Sequence, residues 1–203
     1  MMNCYRINDI FYSLQGEGRN TGRAAVFIRF AGCNLRCSFC DTEFDSYREM
    51  SGEEIMKAIS AYESRFVVLT GGEPTLQVDE AFVDMLHRHG YEVAMESNGT
   101  HQAPKNLDWL TVSPKGGRLP LPLHKDDRRP DEIKIVFTSA EDFERVYAPL
   151  FLEGPGEALL YLQPCDTGDA ARNRQIVAAC VDYIKRRPQW RLSLQTHKLI
   201  DIE

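Results

Sequence analysis

The sequence predicts a single α/β domain built on a parallel sheet. Short β-branched segments alternate with amphipathic helical segments, the order expected where helices connect neighbouring parallel strands. Several strand segments are almost continuously apolar, as in parallel strands covered on both faces. With 203 residues, of which 43% are hydrophobic and 27% charged, the composition is that of an ordinary globular domain.

Eight segments have the composition of strands. AAVFIRFA at 24–31 and FVVLT at 66–70 are the clearest, because they are short, apolar and rich in β-branched residues. The predicted strands are 5–12, 24–31, 66–70, 91–96, 109–113, 132–137, 158–163 and 190–195. The helical segments are too few for a full eight-fold barrel.

Four helices are predicted from periodicity and capping. The first begins with Ser51 as N-cap and has Glu54 three residues later, the pattern of a capping box. The second stops at Gly90, a suitable residue after a helix end. The predicted helices are 51–64, 78–89, 139–148 and 170–187. The apolar stripe of the last one consists of Ile176, Val177, Cys180, Val181 and Ile184. The segment 114–130 predicts a long irregular loop.

Charge and hydropathy exclude several classes of protein. Twenty-four basic and thirty acidic residues give a net charge of -6, which argues against a broad nucleic-acid-binding face. A local basic pocket for a small anion remains compatible with this charge. No segment approaches the ~20 apolar residues of a membrane span, and the N-terminal residues lack the pattern of a signal peptide. We therefore expect a cytoplasmic protein with reduced cysteines and no membrane partner.

Three cysteines directly follow the predicted strand 24–31. Cys33, Cys37 and Cys40 have the spacing C-x3-C-x2-C, so their thiolates can turn toward one metal centre. Structural zinc normally has four protein ligands, and an electron-transfer 4Fe–4S cluster normally has four cysteines. Three cysteines therefore favour an iron–sulfur cluster with one open iron. A Cys3His zinc site and a simple iron–sulfur electron carrier remain alternatives.

The cysteine motif, with Phe39 before its last cysteine, resembles the signature of radical S-adenosyl-L-methionine (SAM) enzymes. A second mark of that superfamily is TGGEP at 70–74, which ends the strand FVVLT. Its glycines let the backbone approach a ligand at the carboxyl end of a parallel strand. The resemblance implies a 4Fe–4S cluster whose fourth iron binds SAM and whose electron cleaves it to methionine and a 5′-deoxyadenosyl radical.

Eight segments, in order over nearly the whole chain, resemble the 7-carboxy-7-deazaguanine synthase family. They are FYSLQGEG (11–18), GRAAVFIRFAGCNLRCSFCDT (22–42), VVLTGGEPTLQ (67–77), ESNGT (96–100), SPK (113–115), EIKIV (132–136), YLQPCD (161–166) and LSLQTHK (192–198). The resemblance implies conversion of 6-carboxy-5,6,7,8-tetrahydropterin to 7-carboxy-7-deazaguanine with loss of ammonia, on the route to queuosine. It also implies catalytic use of SAM, assistance by Mg²⁺, and a homodimer.

The implied fold is a shortened, partial TIM-like barrel with about six parallel strands and few helices. Residues 1–203 would form one radical SAM domain, with an N-terminal substrate-binding segment and a C-terminal strand and tail that close the site. A flavodoxin or ferredoxin would supply single electrons. A glycyl-radical activating enzyme has the same cysteine spacing and is the alternative within the superfamily, but it would lack the LQGEG and LQTHK segments.

The resemblance also implies roles for individual residues, none of them a catalytic acid or base. Cys33, Cys37 and Cys40 would hold the cluster, and Thr42 would bind Mg²⁺ through its hydroxyl. The residues implied in SAM binding are Phe39, Cys40, Asp41, Gly72, Glu73, Ser113, Pro114, Lys115, Gln163, Pro164, Cys165 and Asp166. Those implied in substrate binding are Leu14, Gln15, Gly16, Glu17, Arg29, Thr70, Gln195, His197 and Glu203.

The sequence itself also supports a functional role for Arg29. It lies within an apolar strand, where an arginine is costly unless it is paired. We expect its guanidinium to clamp the substrate carboxylate; the alternative is a structural ion pair with a buried acid such as Glu17. The tail departs from the family, which often ends in a glycine-containing segment whose terminal carboxylate reaches the substrate. Here Asp201 stands at the expected glycine, and Glu203 is last.

Overall fold

The computed structural model describes residues 4–38, 40, 45–116, 127–151 and 156–202. They form one nine-stranded sheet with the order β3-β1-β2-β4-β5-β6-β7-β8-β9. The strands are Cys4–Leu14 (β1), Ala24–Phe30 (β2), Arg48–Ser51 (β3), Phe66–Gly71 (β4), Glu92–Ser97 (β5), Trp109–Val112 (β6), Glu132–Phe137 (β7), Leu159–Pro164 (β8) and Trp190–Leu192 (β9).

The sheet is mostly parallel and open. β2 and β4 to β9 run parallel to one another, seven strands where about six were expected. β1 pairs antiparallel with both β2 and β3. Over the residues described, β3 and β9 form the two edges, so the strands do not close a barrel. The prediction of a partial α/β barrel is confirmed.

The helices begin where their capping residues place them. They are Gly52–Ile59 (α1), Glu80–Arg88 (α2), Ala140–Val146 (α3), Ala170–Arg186 (α4) and Thr196–Leu199 (α5). Ser51 and Glu54 form the predicted capping box before α1. Ser139 caps α3 as expected, and Gly90 follows α2 with a φ of +79°. None of the helices in these described ranges is long and apolar enough to cross a membrane.

The structure differs from these expectations in several places. β3 was not predicted, because its sequence REMS buries only Met50 and owes its strand structure to pairing with β1. α1 ends at Ile59 instead of residue 64, since the Ser60 hydroxyl bonds the Lys57 carbonyl and competes with the helix. Val177 of α4 is exposed. The one-turn helix α5 was not predicted either. Of the loop 114–130, residues 117–126 lie outside the described residues.

The two faces of the sheet have different surroundings. Ile28 and Phe30 of β2 pack in a core with α1 and α2, and Ile135 of β7 packs in a second core with α3 and α4. Phe27 points to the opposite face, where its ring stacks on Phe11 at 4.8 Å. Strand alternation places Arg29 on that same face, as predicted. The face not covered by the helices thus carries Arg29 beside apolar and aromatic side chains.

Candidate active site

A cavity of about 910 Å³ lies on this face, at the carboxyl ends of the parallel strands. This is where α/β folds place their binding sites. Eighteen residues proposed from the sequence line it: Leu14, Gln15, Gly16, Glu17, Arg29, Cys33, Cys37, Cys40, Thr70, Gly72, Ser113, Lys115, Gln163, Pro164, Cys165, Asp166, Gln195 and His197. Glu73 and Pro114 are buried behind its wall. Phe39, Asp41, Thr42 and Glu203 lie outside the described residues.

The three cysteines of the loop after β2 occupy one wall of the cavity. Cys33 and Cys37 are half-buried and Cys40 is exposed. Burial raises the pKa of the Cys33 thiol, and the neighbouring Glu73, Cys37 and Cys40 raise it further. Such thiols ionise readily only beside a cation, as at a metal centre. Within the described part of the chain, no three His, Cys, Asp or Glu side chains converge on a single-ion site.

The glycine-rich loop after β4 presses directly against the cysteine loop. The Gly72 N–H donates to the Phe30 carbonyl at 2.9 Å, and the Glu73 N–H donates to the Gly32 carbonyl at 2.9 Å. A Cβ atom on Gly72 would lie 2.0 Å from the Gly32 oxygen. Only glycine therefore allows this approach of the two backbones, which brings the cysteines and the TGGEP loop to one site.

Glu73, buried behind the cavity wall, stabilises the same loop by hydrogen bonds. Its buried carboxylate accepts hydrogen bonds from Thr75, from the Ser97 hydroxyl at 2.7 Å and from the Asn98 N–H at 2.7 Å. Asn98 in turn lies at the cavity wall, with its amide nitrogen 4.0 Å from the Cys33 sulfur. Glu73 thus joins the loops after β2, β4 and β5 through its backbone N–H and its carboxylate together.

Arg29 has the position that its sequence context predicted. Its guanidinium lies 4.7 Å from the Phe11 ring centre at the cavity wall. Among the described residues no carboxylate pairs with it. The expected alternative partner, Glu17, instead accepts from Lys134. The cation is therefore available to a bound anion.

The Glu17 side chain accepts hydrogen bonds from three residues of the cavity wall. It accepts from Lys134, from the Gln163 amide at 3.1 Å and from the Gln195 amide at 3.0 Å. Burial acts to raise the pKa of Glu17, but the charge and hydrogen bond of Lys134 and the hydrogen bond of Gln195 outweigh it and lower the pKa. Glu17 is therefore a carboxylate at neutral pH.

Sequence reasoning missed two charged residues of this wall, Lys134 and Glu96. Lys134 Nζ also donates to Glu96 at 3.1 Å, and Glu96 accepts from the Gln15 amide at 2.9 Å. A signal was present, because Glu132 and Lys134 alternate with Ile133 and Ile135 in a buried strand. Like Arg29, a lysine in such a strand is costly unless it is paired.

The C-terminal segment borders the cavity beside the loop that follows β1. The Gly18 N–H donates to the Ser193 hydroxyl at 3.0 Å. A Cβ atom on Gly16 would lie 2.1 Å from His197 Nδ1, so these residues are in close contact. Asp201, at the expected glycine position, has a φ of 55°, the backbone conformation that glycine favours. The tail thus keeps the backbone conformation that a glycine at this position would favour.

Asp166 connects this segment to the start of α4. Its carboxylate accepts from the Gly168 N–H at 3.0 Å, from the Asn173 amide at 2.7 Å and from Lys198 at 3.2 Å. The same three groups, in that order, lower the pKa of Asp166 to about 2. Asp166 is therefore ionised at any physiological pH.

Known proteins resemble this chain over nearly its whole length. Residues 27–145 match the family described as the Radical SAM superfamily, so the chain belongs to that superfamily. It is 47% identical to a 7-carboxy-7-deazaguanine synthase of Bacteroides thetaiotaomicron, over 97% of this chain and 98% of that protein. It is 44% identical to one of Bradyrhizobium diazoefficiens, over 98% and 99%. The chain is thus a member of the 7-carboxy-7-deazaguanine synthase family.

A solved structure agrees with this assignment. The crystal structure of QueE from Escherichia coli matches with a TM-score of 0.75 and 30% identity, over 94% of this chain and 93% of that one. The expected class, a radical SAM enzyme, is confirmed and is favoured over a non-catalytic metal module and a glycyl-radical activating enzyme.

Proposed function

We propose that this protein converts 6-carboxy-5,6,7,8-tetrahydropterin to 7-carboxy-7-deazaguanine and ammonia, a step of queuosine biosynthesis. The observation that carries the proposal is that one cavity borders three groups. These are the three-cysteine loop, the hydrogen-bond acceptor Glu17 and the cation Arg29. Family membership supplies the reaction class. The cavity, at about 910 Å³, is large enough for two small molecules side by side.

Cys33, Cys37 and Cys40 fit a 4Fe–4S cluster with one iron left for SAM. Their loop supplies three thiols and contains no fourth cysteine, and all three thiols line the cavity. When bound, the cluster supplies the electron that cleaves SAM. Cys165 also borders the cavity, but it lies mostly within the core of α3 and α4, away from the cysteine loop in sequence.

SAM would occupy the cavity between the cysteine loop and the ends of β6 and β8. Lys115 donates to the Ser113 hydroxyl at 2.8 Å, and burial lowers the pKa of Lys115. Asp166, which stays ionised, can accept hydrogen bonds from ligand hydroxyl groups. Gly72, which lines the cavity, would contact the methionyl part. Phe39, Cys40, Asp41, Glu73, Pro114, Gln163, Pro164 and Cys165 complete the proposed SAM set, in which Glu73 and Pro114 lie behind the cavity wall.

The pterin would bind against the loop after β1. The Glu17 carboxylate can accept paired N–H groups of the aminopyrimidinone ring, beside backbone groups of Leu14, Gln15 and Gly16. Arg29 offers a planar fork of donors to the 6-carboxylate. Thr70, Gln195, His197 and Glu203 complete the proposed substrate set.

Further features of the proposal rest on family resemblance. Thr42 would bind Mg²⁺, for which a hydroxyl oxygen is a suitable hard ligand. A flavodoxin or ferredoxin would deliver the electron. We also propose a homodimer that works in the cytoplasm, where all six cysteines, none of them in a disulfide, would stay reduced.

Product analysis tests the proposed reaction. Reconstituted protein is incubated anaerobically with SAM, a reductant, Mg²⁺ and 6-carboxytetrahydropterin, and the products are identified by mass spectrometry. We expect 7-carboxy-7-deazaguanine and ammonia, with SAM not consumed in proportion. A protein that cleaves SAM but leaves the pterin unchanged would refute the assignment.

A further inference from the structure

Lys134 is a buried lysine on the cavity face of β7. Its side chain is only 5% exposed. It shares this face with Glu132, whereas Ile133 and Ile135 pack in the opposite core. A lysine in such a place is rare unless it is paired.

The partners of Lys134 are two carboxylates from distant parts of the chain. Nζ donates to Glu17 Oε2, in the loop after β1, and to Glu96 Oε2, near the end of β5. The other oxygen of each carboxylate is held by side-chain amides, Glu96 Oε1 by Gln15 and Glu17 Oε1 by Gln163 and Gln195. Both carboxylates border the cavity, with side-chain exposures of 14% and 27%.

Two carboxylates in a partly buried space do not both ionise unless a cation balances them. Glu132 adds a third acid on the same strand, and Lys115 and His197 are the other basic groups that face this cluster. Burial acts to lower the pKa of Lys134, but Glu17 and Glu96 raise it, so Lys134 stays charged. Lys134 is the basic group that contacts both acids directly.

We propose that Lys134 is a positioning residue that keeps Glu17 and Glu96 ionised and fixed as a pair of acceptors for the N–H groups of the substrate. Only the identity of the ligand rests on the proposed function. A fixed pair of carboxylates suits a ring that carries several N–H donors, as an aminopyrimidinone does. Because contacts within the protein already fix both carboxylates, neither has to be reoriented when such a ring binds.

Ligand binding tests the proposal in Lys134→Met, which removes the charge at similar length. The probe is 6-carboxypterin, whose fluorescence reports binding to the anaerobic, SAM-loaded holoprotein. At neutral pH we expect affinity to fall at least about tenfold. Without Lys134 the pKa of Glu17 increases, so Glu17 becomes ionised only at higher pH. The affinity should therefore recover as pH rises. Lys134→Arg should keep the pH profile of the wild type, as should Lys57→Met on the exposed face of α1. A wild-type affinity and profile in Lys134→Met would overturn the proposal.

A second measurement, of stability against pH, needs no ligand. It tests the proposal even if Lys134→Met folds poorly. In Lys134→Met the folded-state pKa of Glu17 lies above its unfolded value, so stability is lost as pH rises through this interval. Lys134→Met/Glu17→Gln removes one of the two carboxylates that have lost their cation and should restore part of the lost stability at neutral pH. Failure of the double variant to do so would show that Lys134 does not balance Glu17. If the wild type does not bind the pterin, the proposed function fails, and this comparison still decides the role of Lys134.

Discussion

Thr196 donates both its backbone N–H and its hydroxyl to the Gly16 carbonyl, each at 3.0 Å. Gly16 follows β1, next to one edge of the sheet, whereas Thr196 follows β9 at the other edge. The contact therefore joins, above the cavity, two ends of a sheet that the strands leave open. Gln195 and His197, on either side of Thr196, reach the cavity as a consequence.

Thr196→Val should weaken this junction while keeping the size of the side chain. It removes the hydroxyl bond and leaves the N–H bond, so we expect a stability loss of about 1 kcal/mol. Because Gln195 and His197 depend on the junction, the KM for the pterin should rise as well. Thermal unfolding and steady-state kinetics measure the two effects.

Thr138→Val is the matched control for Thr196→Val. The Thr138 hydroxyl donates to Asp142 at 3.0 Å beside α3 and does not line the cavity. Its loss should lower stability by a similar amount without changing KM. Equal KM values in both variants would show that the junction does not position the substrate side chains.

Gly72→Ala should disrupt the contact between the TGGEP and cysteine loops. The added Cβ would lie 2.0 Å from a backbone oxygen, which cannot move aside as a flexible side chain could. We expect a loss of about 1–3 kcal/mol and reduced iron content after reconstitution. In Gly90→Ala nothing lies near the new Cβ and only the positive φ is strained, so about 1 kcal/mol is expected with normal iron content. Similar iron content in both variants would contradict this account.

The sequence predicted the elements that depend on local pattern. The conformation of β2 and β4 follows from their apolar runs, and the start of α1 follows from the capping box at Ser51. β3 depends on its neighbour, since three of its four residues are not buried and β1 supplies its hydrogen bonds. Local pattern could not reveal it.

In the candidate site, too, some residues can be predicted from sequence motifs and others only from contacts in the folded chain. The cysteine and TGGEP loops follow from motifs, and their position at strand ends follows from the fold. The Lys134–Glu17–Glu96 cluster joins residues 117 and 38 positions apart, a pairing that only the folded chain reveals. The sequence marks Lys134 as unusual in a buried strand but does not identify its partners.

Cys37→Ala and Cys165→Ala should have opposite effects on the cluster. Both cysteines border the cavity, but only Cys37 belongs to the three-cysteine loop. Cys165 packs in the core of α3 and α4. We expect Cys37→Ala to lose the 4Fe–4S absorbance and SAM cleavage together, and Cys165→Ala to keep the spectrum. Iron and sulfide analysis checks both, and the reverse result would invalidate the ligand assignment.

Arg29 and Glu17 take part in separate contacts although both border the cavity. Glu17 is bonded by Lys134, Gln163 and Gln195, whereas Arg29 lies over Phe11. A purely structural ion pair between Arg29 and Glu17 is therefore not formed. The guanidinium instead borders the cavity without a carboxylate partner among the described residues, which is the arrangement that a carboxylate-bearing ligand requires.

Arg29→Lys should weaken pterin binding although the positive charge is kept. An ammonium group cannot reproduce the two-pronged contact of a guanidinium with a carboxylate. A charged hydrogen bond contributes roughly 1.5–3 kcal/mol, so affinity should fall about tenfold to over a hundredfold, with the cluster spectrum and uncoupled SAM cleavage retained. Arg23→Lys is the control, because Arg23 pairs with Glu92 at 2.7 Å away from the cavity. A lower melting temperature with unchanged pterin affinity in Arg29→Lys would instead assign Arg29 to the fold alone.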